Sequence, residues 1–225
     1  MDYKIEDNKK IGIGLKNRLN LRRLPVAIKF FNNENEIPEG MERIDEKIRH
    51  CEMVTKAADG ESFYSTAEEQ KCKGGSSAMG LEDVPPKILS GEFYHTLGRF
   101  DSLETAKSVV DNIPRIEEKS AGILYAPLEN ANFIPDVVII ITNAKNGMEI
   151  AQGIVYNNGD RVRPSFAGIQ SLCADAVNGP YISGKPNVTL ACSGSRAYTD
   201  LDDDELIIGL AKDNLKPLVD AFTNI

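Results

Sequence analysis

The chain's 225 residues predict a mixed α/β fold of the α+β kind, built as two similar strand-loop-helix halves packed around a shared interface. Three observations carry that expectation. Val137-Val-Ile-Ile-Ile141 is an apolar run of strand length, as a strand buried on both faces requires. Strand-like and helix-like stretches alternate along the chain, which favours a layered architecture. A pair of cysteines occurs in each half.

The elements follow in order. Residues 9–23 set Ile11, Ile13, Leu15, Leu19 and Leu21 among Lys and Arg residues, the pattern of an amphipathic helix with a solvated basic face. Pro25–Phe31 is apolar, rich in strand formers and followed by the turn residues Asn32 and Asn33, so it reads as a buried strand. Arg43–Ala58 reads as a helix carrying Cys51, Ser62–Thr66 as a short strand, and Lys71–Gly75 as a turn because of its paired glycines. Phe93–Phe100 reads as a strand, and Ser102 as the cap of a helix over 103–112 that Pro114 ends. Gly122–Pro127 and Asp136–Thr142 are strands, and 147–156 is a helix. In the last quarter, 169–177 is a short helix carrying Cys173, Asn187–Ala191 and Leu206–Leu210 are strands, and 213–222 is the final helix. The expected divisions are an N-terminal helical segment over 1–23, a first half over 24–117 and a second over 118–225, the halves forming one unit.

The halves are matched by laying Phe93–Leu103 over Leu206–Leu215, each followed by a helix. Upstream, Cys51 and Cys72 have 20 residues between them and Cys173 and Cys192 have 18; the second of each pair is followed by x-Gly, as Cys72-Lys-Gly74 and Cys192-Ser-Gly194. Two copies facing each other across a pseudo-two-fold axis would bring four thiols to the midline.

Composition narrows the classes of function. A net charge of -8 disfavours a nucleic-acid binder, which needs concentrated positive charge against phosphate. The polar opening residues lack the apolar run of a secretory signal, and no later run is long enough to span a bilayer, so the expected location is cytoplasmic. In that reducing compartment the cysteines read as thiols before disulfides. Four thiolates are the ligand set of a [4Fe-4S] cluster and also of a structural zinc site. The spacing is specific for neither, because both usually show Cys-x-x-Cys. The cluster is favoured because a chain of this size has a core without a zinc staple. Buried apolar cysteines, redox thiols and a cysteine nucleophile remain open readings.

Around the expected metal ligands Cys51, Cys72, Cys173 and Cys192, the cofactor-binding candidates are Gly74 and Gly194, whose backbones permit close approach, and Arg196, suited to an anion. Lys29, Glu68, Glu69 and Asp175 are further charged candidates for a pocket between the halves. His50 is poorly placed to serve Cys51, because neighbouring helical residues point apart. The expected partners are a redox protein or a small anionic ligand, with a homo-oligomer open and neither nucleic acid nor membrane. The alternative is a ligand-binding or interaction module with structural cysteines and no metal.

Pro25-Val-Ala-Ile-Lys29-Phe-Phe, Phe63-Tyr-Ser-Thr-Ala-Glu68, Cys72-Lys-Gly-Gly75, Cys173-Ala-Asp-Ala-Val177 and Pro186-Asn-Val-Thr-Leu-Ala-Cys192-Ser-Gly-Ser-Arg196 together resemble the archaeal conserved region family of archaea and anaerobic bacteria. The resemblance runs from about Leu15 onward. It implies cysteines at these four positions and no particular activity. Gln70-Lys71 departs from the His- or Pro-containing stretch associated with the family before Cys72, which puts an additional ligand there in doubt.

Overall fold

The computed structural model describes residues 3–224; Met1, Asp2 and Ile225, which open and close the expected segments, lie outside the described residues. Its elements in chain order are α1 (Ile5–Leu19), β1 (Val26–Phe31), α2 (His50–Ala58), β2 (Phe63–Thr66), α3 (Lys73–Ala78), α4 (Pro86–Leu89), α5 (Glu92–Thr96), α6 (Leu103–Asp111), β3 (Gly122–Pro127), β4 (Val137–Asn143), α7 (Ala144–Val155), a π-helix (Ser171–Asn178), α8 (Gly179–Ser183), β5 (Asn187–Thr189), α9 (Ser193–Tyr198), β6 (Glu205–Ala211) and α10 (Leu215–Phe222).

The six strands form one sheet in the order β2-β3-β1-β4-β6-β5, with every neighbouring pair antiparallel. Alternation of side chains across the pleat sends Val26, Ile28, Val137 and Ile139 to one face and Ala27, Phe31, Val138 and Ile140 to the other. Both faces are covered. The first packs against Met53, Val54 and Ala57 of α2 and Leu172, Ala176 and Val177 of the π-helix. The second packs against Ile11 and Leu15 of α1, Ile150 of α7, and Leu215 and Leu218 of α10. Burial on both sides explains why β1, β3 and β4 are nearly unbroken apolar runs in an antiparallel sheet.

The strand order is a mirror about the β1–β4 pair, and the register keeps the symmetry. Val26, Ala27 and Ile28 of β1 oppose Ile139, Val138 and Val137 of β4. Ile28 opposes Tyr125 on β3 as Ile139 opposes Gly209 on β6. Phe63 on β2 opposes Tyr125 as Asn187 on β5 opposes Gly209. The chain crosses this midline once, between Pro127 and Val137. A two-fold axis normal to the sheet relates antiparallel neighbours and leaves covering helices on the same face. Accordingly α2 with Cys51 matches the π-helix with Cys173, and α3, capped by Cys72, matches α9, capped by Cys192.

That correspondence replaces the one drawn between Phe93–Leu103 and Leu206–Leu215. Leu206–Leu210 lies in β6, but Phe93 lies in α5, not in a strand. The six strands pair without the 93–100 segment, and its buried Tyr94 instead packs with Ile88, Val110 and Ile169 in a small satellite core. Helices α4, α5 and α6 are an insertion of the first half alone; between α9 and β6 the second half has only residues 199–204.

Three other expectations change. The segment 43–49 is extended, held by parallel bridges between Arg43 and Tyr64 and between Ile48 and Gln70, so the helix starts only at His50. Lys71–Gly75 leads into α3, with Gly74 and Gly75 inside the helix. Arg23, expected on a solvated basic face, is buried beyond the end of α1.

Candidate functional site

One cavity of about 460 Å³ lies over the sheet midline, and all four cysteines line it. Cys51 comes from the first turn of α2, Cys173 from the π-helix, and Cys72 and Cys192 from the residues that open α3 and α9. Cys51 and Cys173 are buried; Cys72 and Cys192 are half-buried, and no disulfide joins any of them.

Small residues let these sulfurs share the space. A Cβ placed on Gly75 would stand 3.3 Å from Cys173 Sγ and 3.8 Å from Cys72 Sγ, so two sulfurs from opposite halves gather over one glycine. The Cys192 sulfur accepts from the Ser195 backbone N–H at 3.4 Å and lies 3.4 Å from the Ser195 hydroxyl. Ser195 also acts on the Cys51 thiol, opposing the rise that burial causes.

Burial pushes the Cys51 thiol up to about 12, reinforced by Cys192 and Cys72. Burial and then Cys72, Cys192 and Cys51 raise Cys173 well above the ordinary thiol value. Cys51 and Cys173 so placed resist ionisation, because desolvation and like-charge repulsion both oppose thiolate formation. Among the described residues, no three His, Cys, Asp or Glu side chains are close enough together to hold a single metal ion.

Backbone strain marks the second half of the cavity. Ala191, immediately before Cys192, has φ 67°, and Gln170, which opens the π-helix, has φ 50°. A left-handed conformation at a residue bearing Cβ costs about 1 kcal/mol or more. The π-helix is itself an uncommon local geometry associated with functional sites.

Beneath Cys51 lies a buried polar chain. His50 Nδ1 is 2.9 Å from the Tyr125 hydroxyl, and the Gln70 amide donates to Ser65 Oγ at 2.9 Å. Burial lowers the His50 imidazole to about 3, so the ring is neutral near pH 7. This fixes the start of α2 against β3, which is a structural task for His50. Across the cavity, the Gln170 amide donates to the Tyr94 hydroxyl at 2.7 Å.

The other expected site residues separate. Gly194 lines the cavity, but Gly74 does not; its neighbour Gly75 takes that place, while Gly74 packs towards Gln170 and Tyr94. Arg196 lies outside the lining, and its guanidinium donates to the carbonyls of Leu190, Asp202 and Glu205. Its charge and donors serve the α9–β6 connection rather than an anion in the cavity. Lys29, Glu68, Glu69 and Asp175 also lie outside the lining. Glu68 and Glu69 pair with Arg43, and Asp175 accepts from the Thr189 hydroxyl.

Sequence reasoning missed Gly75, Ser195, Gln170 and the α5 residues Phe93 and Tyr94. Ser195, three residues after Cys192, donates its backbone N–H to the Cys192 cap of α9; nothing local announced the others.

A mixed α/β fold whose midline cavity is walled by four free cysteines defines the class of protein. The chain belongs to the DUF169 family, described as uncharacterised ArCR, whose profile matches residues 14–221. It is 42% identical over 199 residues to an uncharacterized protein of Methanocaldococcus jannaschii, an alignment spanning 88% of this chain and 85% of that one. No solved structure matches it. No helix among the described residues is long and apolar enough to cross a membrane.

Proposed function

We propose that this protein binds an iron-sulfur cluster of the [4Fe-4S] type through Cys51, Cys72, Cys173 and Cys192, and uses it in electron transfer or small-molecule redox chemistry. The observation that carries the reading is the meeting of four free thiols, two from each half, on one cavity. A single zinc ion would need its sulfurs about 2.3 Å from one point. Among the described residues no group of three or more ligating side chains meets that demand. A four-iron cluster does not make that demand, because each cysteine ends on a different iron.

When bound, such a cluster supplies reversible one-electron chemistry. The chain's own residues hold and tune the site. Ser195 offers a backbone N–H and a hydroxyl to the Cys192 sulfur, contacts of the kind that tune a cluster held by that sulfur. Arg49, at the cavity wall, is held by Glu52 and the Tyr198 ring. A reducing, cytoplasmic location agrees with four unpaired thiols.

The test is anaerobic reconstitution with iron and sulfide. The expected result is a brown protein holding about four irons and four sulfides per chain, and any single Cys→Ser change lowers that content. A colourless protein without iron or sulfide overturns the cluster and leaves the ligand-binding alternative.

A further inference from the structure

The cavity that the cysteines line also reaches side chains of α5 and α9 further out, its outer compartment. The cavity as a whole, at about 460 Å³, falls within the range of small-molecule pockets, about 300–1,000 Å³. The lining grades from the buried Cys51 and Cys173 to an exposed rim of Phe93, Leu97, Arg99 and Tyr198. Phe93, Leu97 and Tyr198 are 43%, 52% and 53% exposed, unusually open for large apolar side chains beside a cavity.

Three of these four rim residues belong to the one-sided insertion. Phe93 comes from α5, and Leu97 and Arg99 from the residues just after it. The two-fold symmetry of the sheet accounts for the four sulfurs, whereas the outer wall breaks that symmetry. The insertion therefore adds something the cysteine framework does not need.

Polarity on this wall is sparse and specific. Among the described residues, the Arg99 guanidinium has neither an ion pair nor a hydrogen bond, in a chain of net charge -8. Arg49, by contrast, is paired with Glu52 at 3.0 Å and stacked 3.3 Å from the centre of the Tyr198 ring. Deeper in, Gln170 is buried to 7% exposure and one end of its amide has no partner. Because Tyr94 meets only one end of that amide, either orientation leaves a polar atom of Gln170 unsatisfied. An apolar wall with one free cation at its mouth and one unsatisfied amide at its side fits a specific kind of molecule.

We infer that the outer compartment binds a small organic anion with an apolar, ring-sized body, its carboxylate meeting Arg99 and its body lying against Phe93 and Leu97. This ligand is the substrate or effector placed beside the sulfurs. Its binding depends on the rim and not on the metal, so the two readings can fail separately.

Calorimetric titration with benzoate, 3-phenylpropionate and 2-naphthoate, each beside its neutral amide, tests the inference on reduced metal-free protein and on protein reconstituted with iron and sulfide. At least one acid binds, and its amide binds about tenfold or more weakly, as expected for loss of a charge-assisted contact. Arg99→Gln brings the acid down to the amide's affinity and leaves the iron content unchanged. Leu97→Ala weakens acid and amide alike. Arg161→Gln, in a second cavity of about 340 Å³ lined also by Arg163 and Lys185, changes nothing. Equal affinity for acid and amide, an Arg99→Gln protein that keeps the preference, loss of binding through Arg161→Gln, or no binding of any of the acids overturns the inference. Binding without iron uptake overturns the cluster reading alone.

Discussion

Gly209 of β6 lies directly beneath the Ala176 carbonyl of the π-helix: a Cβ added to Gly209 would stand 1.8 Å from that oxygen. The symmetry-related position on β3 holds Tyr125, whose ring stacks on Phe63 and whose hydroxyl meets His50. The two halves thus seat their cysteine-bearing helices differently, one on an aromatic ring and the other on bare backbone. Gly209→Ala must lift the π-helix, since a clash between backbone and Cβ has no rotamer to relieve it. The expected cost is about 3 kcal/mol, read as a lower urea midpoint. Because Cys173 rides on that helix, iron uptake by the protein that remains folded should fall as well.

Arg23 joins the N-terminal segment to the second half. Its side chain is 2% exposed and reaches Asp59 at 3.1 Å, Asp200 at 2.9 Å and Glu205 at 3.5 Å. Arg23→Ala strands the buried Glu205 carboxylate and should cost about 3 kcal/mol or more. Arg23→Met with Glu205→Gln removes both charges and should cost less than the sum of the two single changes. Urea denaturation of the three variants checks the sign of that coupling.

Much of this arrangement was legible beforehand. The β1, β3 and β4 runs are apolar over strand length, and the four cysteines, in near-equal pairs, pointed to the cavity that they line. The symmetry itself was harder to see. Equivalent positions hold different chemistry, Tyr125 against Gly209 and Phe63 against Asn187, so residue matching drifted onto Phe93–Leu103, where aromatic content imitates a strand. The outer wall was illegible for a related reason. Phe93, Leu97 and Arg99 belong to an insertion whose position is set by the satellite core around Tyr94. Arg196 misled because its chemistry suits anions, yet three backbone carbonyls satisfy it.

Thiol protonation should give two opposite pH dependences. In the metal-free fold, Cys51 is pushed up to about 12, and Cys173 is also raised, burial being the first cause for each. Thiols of the unfolded chain ionise near about 8.5. Above that pH the unfolded chain binds fewer protons than the folded one, so stability is fully present below about 8.5 and falls as pH rises towards the folded values. Coordination requires thiolates, so metal affinity rises with pH over the same interval. Urea midpoints of metal-free protein at pH 7.5 and 9.5 should fall, with a smaller fall for Cys51→Ala/Cys173→Ala. Iron and sulfide uptake by the parent protein should be greater at the higher of the same two pH values.

Gly75→Ala separates folding from loading. Gly75 sits inside α3 with an ordinary helical backbone, so alanine is favoured there by up to about 1 kcal/mol on propensity alone. The new methyl meets no backbone; its nearest neighbours are Cys173 Sγ at 3.3 Å, Cys173 Cβ at 3.5 Å and Cys72 Sγ at 3.8 Å. A small adjustment of the Cys173 side chain accommodates it while the cavity holds only thiols. Once both sulfurs must turn inward to iron, the methyl occupies the space between their attachment points and that adjustment is lost. The expected variant therefore has a urea midpoint equal to or above the parent's, four alkylatable thiols in denaturant, and several-fold less iron and sulfide after reconstitution. A Gly75→Ala protein that loads fully would show that the space over this glycine is not where the two halves share their metal.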